Sequence, residues 1–531
     1  MGLQSAVASL TPISLSVESF QDISPSWENI TTAFANVTPT ARGTLYYLAT
    51  HKVLAVFGFV LIYHFIRATY LLFFHPLARF PGPKIAAISG IWLGYVHISG
   101  RSIWIIKDMH AKYGPVVRIA PNDLSFATPT SYRDIFKSRQ HFTKTEFFDA
   151  IDSGFGEHGI GTERDVATHL RKRKFLTPAF TPQATWEFEP LVLPHLDRFM
   201  SAIEERGKTE EGVDMVEWFQ FLTFDTAGDL AFGEAFGALD KGISHRWMSM
   251  VTECIDVAAY VEAARRFPIF NSIFKRFIPQ VYIDARKWHV AWSKEQTLRR
   301  ISSPSERKDI LGYMVDKHGK SPVTHDELTA HSSQLILGGA ETMTAMLCGT
   351  IYHLAKTRRV IAHLQGEIRT KFACLEDITA GKLGELPYLT AVIKEGLRVF
   401  PPGPTGLPRY SPGAFVAGNY IPKGVKVSTH PWTLCHGEEW WDSPDEFRPE
   451  RWIDEDNTDV KEASVPFGLG SRQCLGQNLA WMEMRLYIAR MMFLYDLKLV
   501  KPEEDLIRKC KTYFMWLKAP LMVKVERRIG Y

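Results

Sequence analysis

Near the C-terminus the chain reads Phe467-Gly468-Leu469-Gly470-Ser471-Arg472-Gln473-Cys474-Leu475-Gly476, a run in which Cys474 alone can serve as a soft metal ligand. The residues that follow, NLAWMEMRLYIARMMF, have the spacing of a long buried helix. A glycine-rich loop feeding a helix can aim backbone N–H groups at the cysteine sulfur, and the helix N-terminus adds partial positive charge that favours thiolate. Gly470 and Gly476 would let the backbone approach a flat ligand closely. An isolated cysteine is more often a small buried apolar residue, and here the surrounding residues decide between the two readings.

A second constellation lies in Gly338-Gly339-Ala340-Glu341-Thr342. Thr324, followed three residues later by Glu327, has the form of a capping box, and no proline follows through Lys356, so one helix of roughly thirty residues is expected. Two mid-helix glycines cost about 1 kcal/mol each against alanine and invite a local opening of the hydrogen-bond ladder. Close helix packing is the ordinary reason for such a pair; room for a ligand is the other. Glu341 and Thr342 then set a carboxylate beside a hydroxyl, which can pass protons inward from solvent.

Farther along, Glu395 and Arg398 lie three apart on one helical face that ends at Pro401-Pro402. Two basic segments remain: His169-Leu170-Arg171-Lys172-Arg173-Lys174, and Arg409 after Pro408.

The loop resembles the cytochrome P-450 haem-binding signature, Phe-x-x-Gly-x-Arg-x-Cys-x-Gly, at Phe467, Gly470, Arg472, Cys474 and Gly476. The glycine pair resembles that family's oxygen-activation motif. The resemblance implies haem b with Cys474 as axial iron ligand, Phe467 packed near the sulfur, and Arg472 on a propionate. It assigns proton delivery to Thr342 and Glu341. Thiolate ligation that favours O–O cleavage is a known property of the family and is taken as given. The run His169 to Lys174 occupies the place of the family's Trp-x-x-x-Arg helix, with His169 for Trp, so Arg173 and, with it, Arg409 become propionate partners. Arg451, in Phe447-Arg448-Pro449-Glu450-Arg451-Trp452, completes a structural triad with Glu395 and Arg398. Across the basic helix, Arg171, Lys172 and Lys174 can steer an acidic reductase, or they form an ordinary solvated face.

The elements needed to position these groups follow from the pattern. The implied fold is mainly α, a single helix-rich domain with small β-sheets, and strands are expected from Val116 to Phe126 and from Ala414 to Val427. A lipophilic substrate pocket is expected from Phe147 to Phe155, His331 to Leu337, Gly403 to Leu407 and Tyr513 to Trp516. The chain has 531 residues, 46% hydrophobic and 23% charged, enough apolar material for a large core. A net charge of +4 gives no general case for nucleic acid. Six scattered cysteines without a CxxC pair argue against a disulfide scaffold or zinc site and for a reduced, intracellular domain.

At the front, Val53 to Phe74 is long enough as a helix to cross a bilayer core of about 30 Å, although His64 and Arg67 interrupt it. The expected division is a polar, luminal tail over 1–52, an anchor over 53–74, a Pro-rich hinge over 75–84 around Phe80-Pro81-Gly82-Pro83, and a catalytic domain over 85–531. Arg42 and Lys52 precede the anchor and Arg67, Arg79 and Lys84 follow it, favouring a cytosolic catalytic domain. Asn29 and Asn36 head sequons that a luminal tail would expose to glycosylation.

The activity so implied is insertion of one oxygen atom from O2 into a lipophilic small molecule. Electrons come from an NADPH–cytochrome reductase, with cytochrome b5 a further candidate donor, at the endoplasmic reticulum membrane. The proline elbow and the Pro-Glu-Arg-Trp segment look most like fungal members of secondary metabolism, acting on terpenoid, indole or polyketide intermediates. Two rival readings stay open: a haem-thiolate isomerase or dehydratase that does not use O2, and a non-enzymatic haem binder. The Glu341-Thr342 pair counts against the first, and the presence of both the oxygen-side and the cysteine-loop motifs counts against the second.

Overall fold

The computed structural model describes residues 39–529, apart from 153, 254, 268–275, 277–278, 304–305 and 317–318, so Asn29 and Asn36 lie outside the described residues. It divides into two units, Met1–Phe73 and Phe74–Tyr531. In the first, helix α1 (Pro39–Thr69) exposes Val53, Leu54, Phe57, Phe59, Ile62 and Phe65. The stretch long and apolar enough to cross a membrane is Thr50–Phe74, three residues longer at its start than the sequence pattern outlined. It ends in a π-helical turn, Tyr70–Phe74.

In the second unit, α2 (Ile91–Ile98) precedes the hairpin β1 (Val116–Ala120) and β2 (Asp123–Phe126). Next come β3 (Thr143–Lys144), α3 (Val166–Leu176), β4 (Val213–Asp214), α4 (Met215–Phe232) and α5 (Ile255–Arg265). The long helix is α6 (His325–Lys356), followed by α7 (Pro387–Val399) and β5 (Arg409–Tyr410). The hairpin β6 (Ala414–Val416) and β7 (Asn419–Ile421) leads to β8 (Lys426–Thr429), and α8 (Gln477–Leu494) follows the cysteine loop. The main sheet has the order β1-β2-β8-β5-β3, antiparallel except for β2 with β8. Both expected strand regions are present. The two-residue strands β3 and β5 carry no alternation to read, and their register sets Lys144 directly opposite Arg409.

Helix α6 forms the centre of the unit, packed on α4, α7 and α8. Its N-cap is Thr324, whose hydroxyl accepts from the Glu327 N–H at 3.1 Å. The Glu327 carboxylate turns instead to Arg171 and His331, so only half of the expected capping box forms. The helix runs unbroken through Gly338-Gly339, where a local opening was expected, and at that turn Thr342 Oγ1 donates to the Gly338 carbonyl at 2.5 Å.

A fully buried ionic knot ties α7 to the segment before the cysteine loop. Arg398 grips Glu395 through both carboxylate oxygens at 2.8 Å, and Arg451 Nε donates to Glu395 Oε1 at 3.1 Å. The Arg448 N–H and the Trp452 indole, both at 2.9 Å, add further bonds to that carboxylate. Asp459, which the sequence did not single out, pairs with Arg451, so two guanidinium groups meet two carboxylates and no charge is left over. Burial alone would raise the Glu395 carboxyl, but Arg398 and Arg451 hold it below the usual carboxylate range. Removing one partner of such a knot costs about 3–5 kcal/mol. Glu395→Ala is therefore expected to lower the chemical-denaturation midpoint sharply, whereas the exposed Glu385→Ala leaves it within error.

Candidate active site

The cysteine loop is shaped by its own backbone. Gly468 and Gly470 have φ of 68° and 72°, and the Cys474 N–H donates to the Phe467 carbonyl at 2.8 Å, closing the turn. Gly470 carries a constraint that the sequence did not show: a Cβ there would lie 2.0 Å from the Phe136 carbonyl oxygen, so the neighbouring chain itself demands glycine. Gly476, by contrast, has only Phe180 at 3.8 Å and leaves room. Phe467 packs against Trp481, ring centroids 6.2 Å apart.

The Cys474 thiol is reachable by solvent even though its surroundings are dense with protein, which describes a side chain facing an internal cleft. Burial pushes its pKa up, against the pull of the Gly476 N–H and of Arg173. Desolvation thus outweighs the donors that the sequence pattern led one to expect at the helix start, and a bound cation would favour the thiolate.

Around this loop gather basic groups from four elements. Arg409 (β5) is 3% exposed; its guanidinium lies over the rings of Phe136 and Phe148, and its one side-chain hydrogen bond among the described residues is to the Pro408 carbonyl at 3.0 Å. Burial and Arg472 lower its pKa to about 9. Lys144 (β3), missed by sequence because a lone lysine in a short strand gives no periodic signal, is buried and donates to the Ile160 and Gly161 carbonyls. Arg472 donates to the Glu163 and Arg164 carbonyls at 2.9 and 3.1 Å. His169 (α3) is buried, with its pKa lowered to about 3 by burial and by Arg472 and Lys144. Arg173 reaches the Gln473 carbonyl at 2.8 Å, pinning the cysteine loop. Among the described residues no carboxylate lies within ion-pair distance of Arg409, Lys144, Arg472 or Arg173. Arg409 and Lys144 are buried and Arg472 and Arg173 half-buried, and burial with Arg472 and Arg409 holds the Lys144 ammonium well below its ordinary pKa. Such a set of basic groups fits a bound polyanion, and the propionates of haem have that chemistry.

Two expectations change. Lys172 does not belong to a surface basic face: it is buried, with Nζ on Glu163 at 2.9 Å and on the His158 carbonyl, while Arg171 is exposed but paired with Glu327 at 3.0 Å. Lys174 alone of the three is exposed without an ion pair among the described residues. Glu341 and Thr342 are neighbours in sequence but not in bonding. Glu341 is buried and paired with Lys518 at 2.7 Å, with its other oxygen unpartnered, while Thr342 bonds back to Gly338. The carboxylate is therefore clamped, not open to water. Gly338 has nothing within 4 Å of where a Cβ would sit, so this turn of the otherwise buried α6 faces open space.

A profile of the family described as Cytochrome P450 matches residues 80–525. The chain belongs to the cytochrome P450 family. The haem that this family carries fits the cysteine loop and the cation set described above. Among curated relatives, the cytochrome P450 monooxygenase ORF9 of Penicillium roqueforti is 39% identical over 457 residues, covering 85% of this chain and 90% of the relative. The cytochrome P450 monooxygenase BOT4 of Botryotinia fuckeliana is 37% identical over 462 residues, 86% and 88% of the two chains. The cytochrome P450 monooxygenase btcC of Colletotrichum orbiculare is 34% identical over 499 residues, 90% and 95%. This P450 chain is a monooxygenase.

Arg409→Met removes a buried cation that has no carboxylate partner. The variant is expected to be at least as stable as wild type to urea when stripped of haem, yet to release haem faster, as followed by transfer to an excess of an acceptor globin. Slower or equal release would separate Arg409 from the cofactor.

Proposed function

We propose that the chain is a membrane-anchored monooxygenase in which Cys474 holds haem b and Arg409, Lys144, Arg472 and His169 receive its propionates, with Arg173 fixing the loop between them. Haem so held supplies the activation of dioxygen. The observation that carries this reading is the buried Arg409, cationic and without a carboxylate, beside the loop that presents a solvent-reachable thiol. Gly338 gives space on α6, and the Thr342 hydroxyl lies one turn beyond it, able to exchange its bond to the Gly338 carbonyl for one to a bound molecule. Glu341 moves a proton only when its pair with Lys518 opens, and until then it holds the C-terminal strands against α6.

Electrons come from NADPH through a reductase, with cytochrome b5 a further donor, and Lys174 remains on the exposed face of α3 to meet an acidic partner. The apolar, exposed stretch Thr50–Phe74 supports a single-pass anchor in the endoplasmic reticulum membrane with the catalytic unit cytosolic, preceded by a luminal tail bearing Asn29 and Asn36. The fungal relatives support a place in secondary metabolism and a lipophilic substrate of terpenoid, indole or polyketide type.

Reduced protein exposed to carbon monoxide should give a strongly red-shifted Soret band that Cys474→Ser loses. A histidine-like band in wild type would contradict thiolate ligation.

A further inference from the structure

Three of the four expected pocket segments converge on one cleft, to which they contribute Phe147, Thr405, Gly406, Tyr513 and Phe514. The fourth segment, His331 to Leu337, is absent from its lining; His331 is fully buried and accepts from the Ile160 N–H. Helix α5, unread in the sequence, lines the cleft instead, and brings Glu262, 5% exposed, to a wall that also carries Asp123, Arg266 and Lys426.

Glu262 is short of hydrogen-bond donors at this wall, and burial holds its carboxyl above the usual range against the pull of Arg266 and Lys426. Glu262 Oε1 accepts from Arg266 Nη2 at 3.2 Å, and the same guanidinium donates to Asp123 Oδ2 at 3.0 Å. One cation therefore serves two carboxylates. Glu146, the other acid nearby, is already matched by Lys426 and by the Tyr410 hydroxyl. His97, which also lines the cleft, is held neutral, its pKa lowered to about 3 by burial and by Arg266. Glu262 Oε2 is left buried without a hydrogen-bond partner. A buried acceptor in that condition costs about 1–3 kcal/mol, and a donor from a ligand recovers it.

We infer that Glu262 is a specificity-determining residue that accepts a hydrogen bond from a hydroxyl on the substrate, so that the chain acts on lipophilic molecules already bearing an alcohol. Rotation of the carboxyl group about its last bond exchanges the two oxygens, so either can meet the ligand while the other keeps Arg266. Apolar residues Leu93, Val96, Ala259 and Phe514 accommodate the hydrocarbon body. A substrate of this class comes from a step that installs a hydroxyl, such as an earlier oxygenation or the hydrolysis of an ester. The inference rests on the monooxygenase reading for the cleft's purpose, and it names the class of molecule that enters.

Equilibrium dialysis of the full-length holoenzyme with 1-adamantanol and with adamantane compares two rigid probes that differ by one hydroxyl. Wild type is expected to bind the alcohol about tenfold tighter, Glu262→Leu to bring the ratio to about one, and Glu262→Gln, which keeps an acceptor oxygen, to fall between. An equal affinity for both probes in wild type overturns the inference, as does a preference that survives in Glu262→Leu. The carbon monoxide spectrum of the same preparations separates this from failure of the haem assignment: a red-shifted band with no alcohol preference sinks the Glu262 role alone. If Glu262→Leu does not fold, the wild-type ratio and the Gln variant still decide.

Discussion

A carboxylate removed from water must find its solvation inside the protein, and Glu395 finds it completely: five donors from Arg398, Arg451, Arg448 and Trp452 surround its two oxygens. Arg398 reaches onward to the carbonyls of Cys435, Pro444 and Glu446, and Arg451 to Asp442 and Asp459, so one buried acid orients a long stretch of irregular chain. That stretch leads into the cysteine loop. Irregular backbone has no ladder of its own to fix it, and the knot takes that place. The loop's final placement then rests on contacts of its own, Gly470 against Phe136 and Arg173 on Gln473.

The site uses the opposite principle. Where the knot pairs its charges, the neighbourhood of Cys474 keeps basic groups without a carboxylate, and the cleft near α5 keeps one carboxyl oxygen without a donor. Unmatched groups in a folded interior mark candidate places for a partner from outside the chain. The two are complementary in kind, matching an anionic cofactor edge and a donor-bearing substrate.

Much of this was legible in the sequence because it is written in contiguous motifs. The cysteine loop, the long helix over Gly338-Gly339 and the Glu395/Arg398 spacing each fall within a dozen residues, and local pattern suffices. What sequence could not give depends on side-chain direction and long-range pairing. Lys172 looked like part of a surface run but turns inward to Glu163, and Glu341 looked paired with Thr342 but turns to Lys518, far along the chain. Lys144, Asp459 and Glu262 are single residues whose importance arises only when strands or helices distant in sequence are brought together. Gly470 also meets the Phe136 carbonyl, a constraint set by a segment more than three hundred residues earlier and so not written in the loop's own motif.

The register of β3 on β5 sets Lys144 across from Arg409, two cations directly opposite on adjacent strands, an arrangement that costs stability unless an anion lies between them. Binding of such an anion contributes to folding by mass action, so the population of intact chain rises with its concentration. For the haem that this family carries, a larger supply then means a larger folded fraction and fewer chains open to proteolysis.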